Sequence, residues 1–211
     1  AHKGHFFVTD PKGELAAVSL HSLHLQEKHG FCINPFNMHV GAPWFLPSHR
    51  VNPLDVLHPL SESLAADCKL LMEMMIPKVK SGGDNYFPDK AREWGRVILL
   101  WMVRRGGSVT LPAFYKLISS VYADLTGWDS ICAQMRTFSH PDIQRVVGEM
   151  VTKRDEAPKE FSGILGTLFN GLSFVGDEAL SACLAEGDFS LSVVTSDFQP
   201  VNVYLIFPSE F

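Results

Sequence analysis

The stretch FFVTDPKGE, residues 6–14, decides the fold of this chain. Its first three residues are bulky and apolar, as in a buried strand, and Asp10 to Gly13 have the composition of a turn. A helical pattern then runs from about Glu14 to His29, and Gly30 is expected to end it. A second short strand is predicted at 31–33. The order strand, helix, strand predicts a parallel sheet covered by helices.

Beyond residue 33 the sequence pattern changes twice. Residues 34–59 are rich in Pro, Asn and His and predict a loop that leaves the sheet. A helical period follows and predicts five helices, which start at a Ser61 cap, an Asp89 cap, a Thr110 cap, Pro141 and about Lys159, the last running to Val175. The β-rich run VNVYLIF, residues 201–207, predicts a strand that rejoins the sheet. We therefore expect an α/β fold whose sheet, in residues 1–58 and 187–211, is interrupted by an all-α insertion over 59–186.

The amino-acid composition excludes several classes of protein. The 211 residues include 18 basic and 23 acidic ones, so the net charge of −5 argues against a surface that coats nucleic acid throughout. The charge is uneven, with a basic middle over 78–105 and an acidic end after 155. The four scattered cysteines lack a C-x-x-C spacing and are expected to be buried, reduced thiols. The longest apolar run, residues 97–103, falls short of the roughly 20 residues that cross a bilayer, so we expect a soluble chain.

The first candidate site is the cluster Asp10, Lys12, Gly13 and Glu14. It follows a strand and opens a helix, and ligands of open α/β sheets bind at the carboxyl ends of strands beside helix N-termini. Gly13 permits a close approach, and Lys12 could meet a phosphate. A structural interpretation stays open, in which Asp10 ends the strand in a turn and Glu14 favours the helix dipole.

The second candidate site is a basic stretch on one predicted helix. Basic residues interleaved with aromatic rings suit single-stranded nucleic acid, through phosphate attraction and base stacking. The candidate nucleic-acid-binding residues are Arg92, Arg96, Arg104 and Arg105. The neighbouring Trp94 and Trp101 lie on the apolar stripe of that helix, which favours a place in the core for them.

No catalytic residue is predicted. The chain contains neither a G-x-S-x-G elbow nor a G-x-x-x-x-G-K-[ST] phosphate loop, and no apolar strand ends in an Asp-Glu pair that could hold a magnesium ion. His21 and His24 are three residues apart on the first helix, but no third ligand is fixed. We therefore expect exposed histidines and no metal site.

The order of several short phrases resembles the type IV secretion coupling proteins, the conjugative DNA-transfer ATPases of the TraG/TraD type. The phrases are FVTDPKGEL at 7–15, VNPLD at 51–55, NYFPDKA at 85–91, TLP at 110–112, FSGIL at 161–165, GDFS at 187–190 and VYLIFP at 203–208. They span nearly the whole chain, and each one alone is weak. Seven in the same order are a specific signal.

The resemblance implies an incomplete RecA-like nucleotide-binding sheet of the P-loop NTPase class, interrupted by the all-α insertion. It implies a homohexamer at the cytoplasmic face of the bacterial inner membrane that uses ATP and Mg²⁺. Its partners would be single-stranded DNA, the relaxase and relaxosome proteins, and the secretion channel. By the resemblance, Asp10, Lys12, Gly13 and Glu14 lie near the nucleotide end of the sheet.

The sequence also departs from that family pattern. The phosphate loop upstream of the D-P-K-G-E strand and the Asp-Glu strand downstream of the V-Y-L strand are both missing. The chain is therefore expected to be an internal fragment that binds ATP poorly and is inactive alone. The alternative is a stand-alone helical adaptor without ATPase activity.

Overall fold

The computed structural model describes residues 4–25, 28–78, 85–195 and 200–209 of the chain. The chain divides into two compact units. The sheet unit comprises Ala1–Val56 and Asp177–Phe211, and the helical unit comprises Leu57–Gly176. The expected mixture of a parallel sheet and a helical block is confirmed.

The described residues of the sheet unit form three parallel strands. The strands are β1 (Phe6–Thr9), β2 (His29–Ile33) and β3 (Val201–Leu205), and they lie in the order β1-β3-β2. The last strand pairs with both of the others, with Val203 opposite Phe7 on one side and opposite Phe31 on the other. The predicted return of the chain to the sheet is therefore confirmed, and the returning strand occupies the centre.

Helix α1 (Glu14–Leu25) connects β1 to β2 and covers one face of the sheet. Its Ala16 is buried in a cluster with Tyr204. The prediction that Gly30 ends this helix is wrong, because Gly30 lies in β2 opposite Asn202. A Cβ at Gly30 would lie 2.6 Å from Leu20 Cδ2, so a larger residue there would force the Leu20 side chain of α1 to move. Residues 26 and 27, which the predicted helix included, lie outside the described residues.

A second apolar cluster in the sheet unit contains Ile33 and Val203 together with Cys183. Cys183 ends helix α8 (Glu178–Cys183), which follows the helical unit in the chain. A 3₁₀ helix at Leu191–Thr195 then leads towards β3. The short helix α8 therefore belongs to the sheet unit.

The described part of the helical unit contains six α-helices and a closing 3₁₀ helix. They are α2 (Leu64–Met75), α3 (Tyr86–Arg105), α4 (Leu111–Ala123), α5 (Leu125–Arg136), α6 (Pro141–Glu156), α7 (Pro158–Gly171) and the 3₁₀ helix Ser173–Gly176. Helix α3 is central and packs against α2, α6 and α7. Among the described residues, no helix combines the length and the hydropathy required to cross a membrane.

Of the helix starts predicted from the sequence, some are confirmed and others are wrong. Thr110 caps α4 as predicted, since its side chain accepts a hydrogen bond from Ala113 N at 3.2 Å. The caps predicted at Ser61 and Asp89 are wrong, because α2 begins at Leu64 and α3 begins at Tyr86. Pro141 opens its helix as predicted.

Two further differences concern helix extents. The sequence predicts the last helix over 159–175, whereas α7 ends at Gly171 and the chain continues as the 3₁₀ helix. Helix α5 was not predicted at all. Its start carries a recognisable cap, since the Asp124 carboxylate accepts a hydrogen bond from Thr126 N at 2.9 Å.

The centre of the helical unit is aromatic. Trp94, Trp128 and Phe161 are almost fully buried, and their ring centroids lie 5.5–6.5 Å apart. Trp101 is 2% exposed, so the prediction that Trp94 and Trp101 belong to the core is confirmed. None of the three indole nitrogens has a hydrogen-bond partner among the described residues. All four cysteines are buried and free of disulfides, as predicted.

Candidate functional site

The turn between β1 and α1 is organised by Asp10. This residue is only 2% exposed, and its Oδ2 accepts a hydrogen bond from Ala16 N at 2.8 Å. Its backbone N–H donates to Leu205 O at 2.8 Å, and its carbonyl accepts from Gly13 N at 3.1 Å. The carboxylate therefore satisfies an N–H in the first turn of α1, as a capping residue does. This contact matches the structural interpretation of Asp10.

Gly13 fits tightly into the same turn. Its φ of +70° lies in the left-handed region, where a side chain is disfavoured. A Cβ there would also lie 2.9 Å from His39 Cδ2 and 3.0 Å from Leu46 Cδ1. The His39 Nε2 in turn lies 2.6 Å from the carbonyl oxygen of Lys12. Asp10 and Gly13 thus shape the turn, while the side chains of Lys12 and Glu14 are exposed at its surface.

The carboxyl end of β2 has a similar buried polar residue, which sequence reasoning missed. Asn34 is fully buried, and its side chain both donates to Met38 O (3.1 Å) and accepts from Met38 N (2.9 Å). Its carbonyl oxygen accepts a hydrogen bond from Ser48 Oγ at 2.7 Å. The Asn-Pro step at 34–35 was the available signal, because asparagine before proline favours such turns.

Two phrases of the family resemblance, at 51–55 and at 187–190, come together in the sheet unit. Val51 and Phe189 form a parallel bridge. Beside them, Asp188 accepts hydrogen bonds from the backbone N of Arg50 and from its Nη2, both at 2.8 Å. The Arg50 side chain thereby lowers the pKa of Asp188 and favours its charged form. These contacts hold together two segments of the sheet unit, one before the helical unit in the chain and one after it.

The four candidate arginines fall into two pairs, of which the first is engaged in ion pairs. Arg92 is 8% exposed, and its Nη2 donates to Asp89 while its Nε donates to Pro88 O at 3.2 Å. Arg96 Nη1 donates to Asp142 Oδ2 at 3.0 Å and so connects α3 to α6. This hydrogen bond is also the main reason that the pKa of Asp142 is lowered. Arg92 and Arg96 therefore contribute to the packing of the helical unit.

Arg104 and Arg105 form the second pair, in the last turn of α3. Both are exposed, and neither has an ion pair within the described part of the chain. The guanidinium carbon of Arg105 lies 5.4 Å from the ring centroid of Trp101, within reach of a cation–π interaction. Twelve positions separate Arg92 from Arg104, about 18 Å along a helix. The structure therefore does not gather the four arginines into one surface.

A charge network that the sequence did not reveal links α3 to α6. Lys90 contacts Glu93 at 2.9 Å and Glu149 at 2.8 Å, and Arg145 donates to Glu93 from α6. Burial raises the pKa of Glu93, but the hydrogen bonds from Lys90 and Arg145 outweigh burial, so the pKa is lowered overall. Arg145 and Glu93 are 52 positions apart in the sequence, so their contact depends on how α3 and α6 pack in the fold.

The histidines of α1 offer no support for a metal centre. His21 and His24 are both exposed. Across the described residues, no three His, Cys, Asp or Glu side chains lie close enough to hold one metal ion.

A comparison with protein families identifies a relationship over both units. Residues 1–210 match the model of the family described as Type IV secretory system Conjugative DNA transfer. No curated protein matches the sequence. The match extends over the sheet unit and the helical unit alike, and over all seven phrases noted in the sequence.

Proposed function

This chain belongs to the type IV secretory system conjugative DNA transfer family, and from that premise we propose that it is part of a coupling protein. In the proposed role, an ATP-driven motor passes single-stranded DNA bound to a relaxase, or protein, into a secretion channel. The ordered phrases of the sequence support the coupling-protein role. A parallel sheet interrupted by a helical unit is compatible with it.

We propose further that the helical unit contacts single-stranded DNA at the end of α3. The observation that carries this step is the exposed pair Arg104 and Arg105, whose charges no described carboxylate neutralises. Cationic side chains of this kind attract phosphates and release counterions when they bind. The resemblance adds relaxosome proteins as partners of the same unit.

ATP and Mg²⁺ are proposed as ligands of the complete protein. In the described residues, the turn after β1 offers only the exposed side chains of Lys12 and Glu14, because the carboxylate of Asp10 is bonded to Ala16 N. These two side chains do not form a phosphate cradle by themselves, so no chemical step is assigned to them. A homohexameric ring at the cytoplasmic face of the inner membrane completes the proposal, again by resemblance.

DNA binding at several salt concentrations tests the role of the arginine pair. The probe is a 20-nucleotide single strand with a 3′ fluorophore, followed by fluorescence anisotropy. Each phosphate contact contributes roughly 0.7 to the slope of log K against log salt for single strands. The variant R104A/R105A is therefore expected to lower the slope by about 1.4. Between 50 and 200 mM salt, the fold-decrease in affinity of the wild type would then be about seven times that of the variant.

The matched control is K116A/R136A, which removes two exposed charges elsewhere in the helical unit. It is expected to leave the slope nearly unchanged. Equal slopes for the two double variants, or no binding at 50 mM salt, would overturn the proposed DNA contact and favour an adaptor that binds only proteins.

A further inference from the structure

A charged cavity lies in the helical unit between α2 and α3. Its volume is about 480 Å³, which is within the range of small-ligand sites. Every residue that the structure describes in its lining carries a formal charge. Five are cations, namely Lys69, Lys78, Lys90, Arg92 and Arg96, and three are carboxylates. The lining alone has a formal excess of two positive charges, and two carboxylates of α6, Asp142 and Glu149, pair with its Arg96 and Lys90.

Two guanidinium groups of this cavity are fixed in place. Arg92 and Arg96 are one turn apart on α3, and their side chains are 9% and 15% exposed. Asp89 holds the first and Asp142 holds the second. A guanidinium has five N–H donors, and the described partners take two from Arg92 and one from Arg96. The remaining donors of these two largely buried guanidinium groups are therefore oriented in advance.

Two ammonium groups of the lining are much less engaged. Lys69 lies 3.9 Å from Glu73, beyond hydrogen-bond distance, and Lys78 has no ion pair with any residue that the structure describes. Lys90 differs from them, because Glu93 and Glu149 both bind it. Within the described residues, Lys69 and Lys78 thus have no hydrogen-bonded carboxylate that an anion oriented by the two arginines would have to displace.

We propose that the charged cavity binds a phosphate monoester. A phosphate dianion offers several strong acceptor oxygens, which match the fork of an arginine and the mobile donors of lysines. No aromatic ring is present in the described lining on which a base could stack, so the phosphate group itself is the recognised element. The phosphate comes from a free phosphate compound or from the end of a DNA strand. The proposal is independent of the DNA contact at Arg104 and Arg105.

Titration with inorganic phosphate, by calorimetry at pH 8 on the whole chain, tests the cavity. The wild type is expected to show saturable binding, and K69A/K78A is expected to weaken it by about tenfold or more, because two charged donors are lost. K69R/K78R keeps the charges and is expected to keep binding. The control K116A/K159A removes two exposed lysines elsewhere in the unit and is expected to bind like the wild type. A circular-dichroism melt without phosphate establishes that each variant is folded.

Unsaturable phosphate binding, or equal binding by K69A/K78A and the wild type, would overturn the proposal. A pair of ten-nucleotide strands, one with a 5′ phosphate and one with a 5′ hydroxyl, then identifies the source. Tighter binding of the phosphorylated strand, lost in K69A/K78A, assigns the site to a DNA end. Equal binding of both strands, with saturable inorganic phosphate, assigns it to a free phosphate compound. R104A/R105A is expected to leave phosphate binding unchanged, so this site and the DNA contact can fail separately.

Discussion

Asp10→Ala removes the carboxylate that caps α1 and leaves the N–H of the fully buried Ala16 without its partner. Loss of an N-terminal cap costs about 1 kcal/mol, and an unsatisfied buried donor costs about 1–3 kcal/mol. Both costs describe the loss of one hydrogen bond to the same N–H and are not added. We therefore expect the variant to be destabilised by about 2 kcal/mol in total. Hydrogen exchange at the Ala16 amide, measured by NMR, should then be about thirtyfold faster. Asp10→Asn keeps an acceptor oxygen and should cost little.

Thr110→Ala is the matched control, since it removes the corresponding cap from α4 in the helical unit. It should accelerate exchange at Ala113 and leave Ala16 unaffected. If Asp10→Ala changes the exchange rate of Ala16 by less than threefold, the capping role is refuted and a role of Asp10 in ligand binding regains support. An Asp10→Asn variant as damaging as Asp10→Ala would also contradict the reasoning, because an amide oxygen caps a helix about as well as a carboxylate.

Two further predictions concern titratable groups. The helical unit should lose stability as the pH falls below about 4.5, because hydrogen bonds from Lys90 and Arg145 outweigh burial and lower the pKa of Glu93 from 4.5. The stability from these bonds is complete above the unfolded pKa and disappears as the pH falls through the folded pKa. Glu93→Gln should weaken this pH dependence and lower the free energy of unfolding by about 1 kcal/mol at pH 7, measured by urea unfolding. If the free energies of unfolding of the wild type and the variant change in parallel with pH, the prediction is wrong. The thiols should resist iodoacetamide at pH 8 until urea unfolds the chain, since burial raises the pKa of Cys32 to about 12 and of Cys183 to about 11. Equal alkylation rates with and without urea would disprove this.

Elements with a strong local signal could be predicted from the sequence. Residues 201–205 of the β-rich run predicted as a strand over 201–207 form β3, and Thr110 caps its helix as its position indicates. Gly30 was misinterpreted because, in a single sequence, a strand glycine that packs closely against a helix side chain looks the same as a glycine that ends a helix. Helix α5 was missed although its buried positions follow a helical spacing. They are Trp128, Ile131, Cys132 and Met135.

The candidate sites were harder to predict because they depend on distant partners. The sequence places Arg96 among basic residues, yet its partner Asp142 lies 46 positions away on another helix. Helical spacing alone therefore could not separate the engaged pair, Arg92 and Arg96, from the exposed pair at the end of α3. Asp10 shows the opposite case. Its position at a strand end predicts a ligand site, whereas its local hydrogen bonds serve the turn.

The central place of β3 in the sheet has a consequence for synthesis on the ribosome. Among the described residues, β1 and β2 each pair with β3 and lie on opposite sides of it, so neither of these two pairings can form until residue 205 has been made. At roughly 5–20 residues per second, the 172 residues from Ile33 to the end of β3 take about 9–34 s to translate. The helical unit can fold within that interval, because all of its residues precede β3 in the chain. The edges of β1 and β2 that will pair with β3 stay unpaired during that time, and unpaired strand edges in a nascent chain are prone to aggregate.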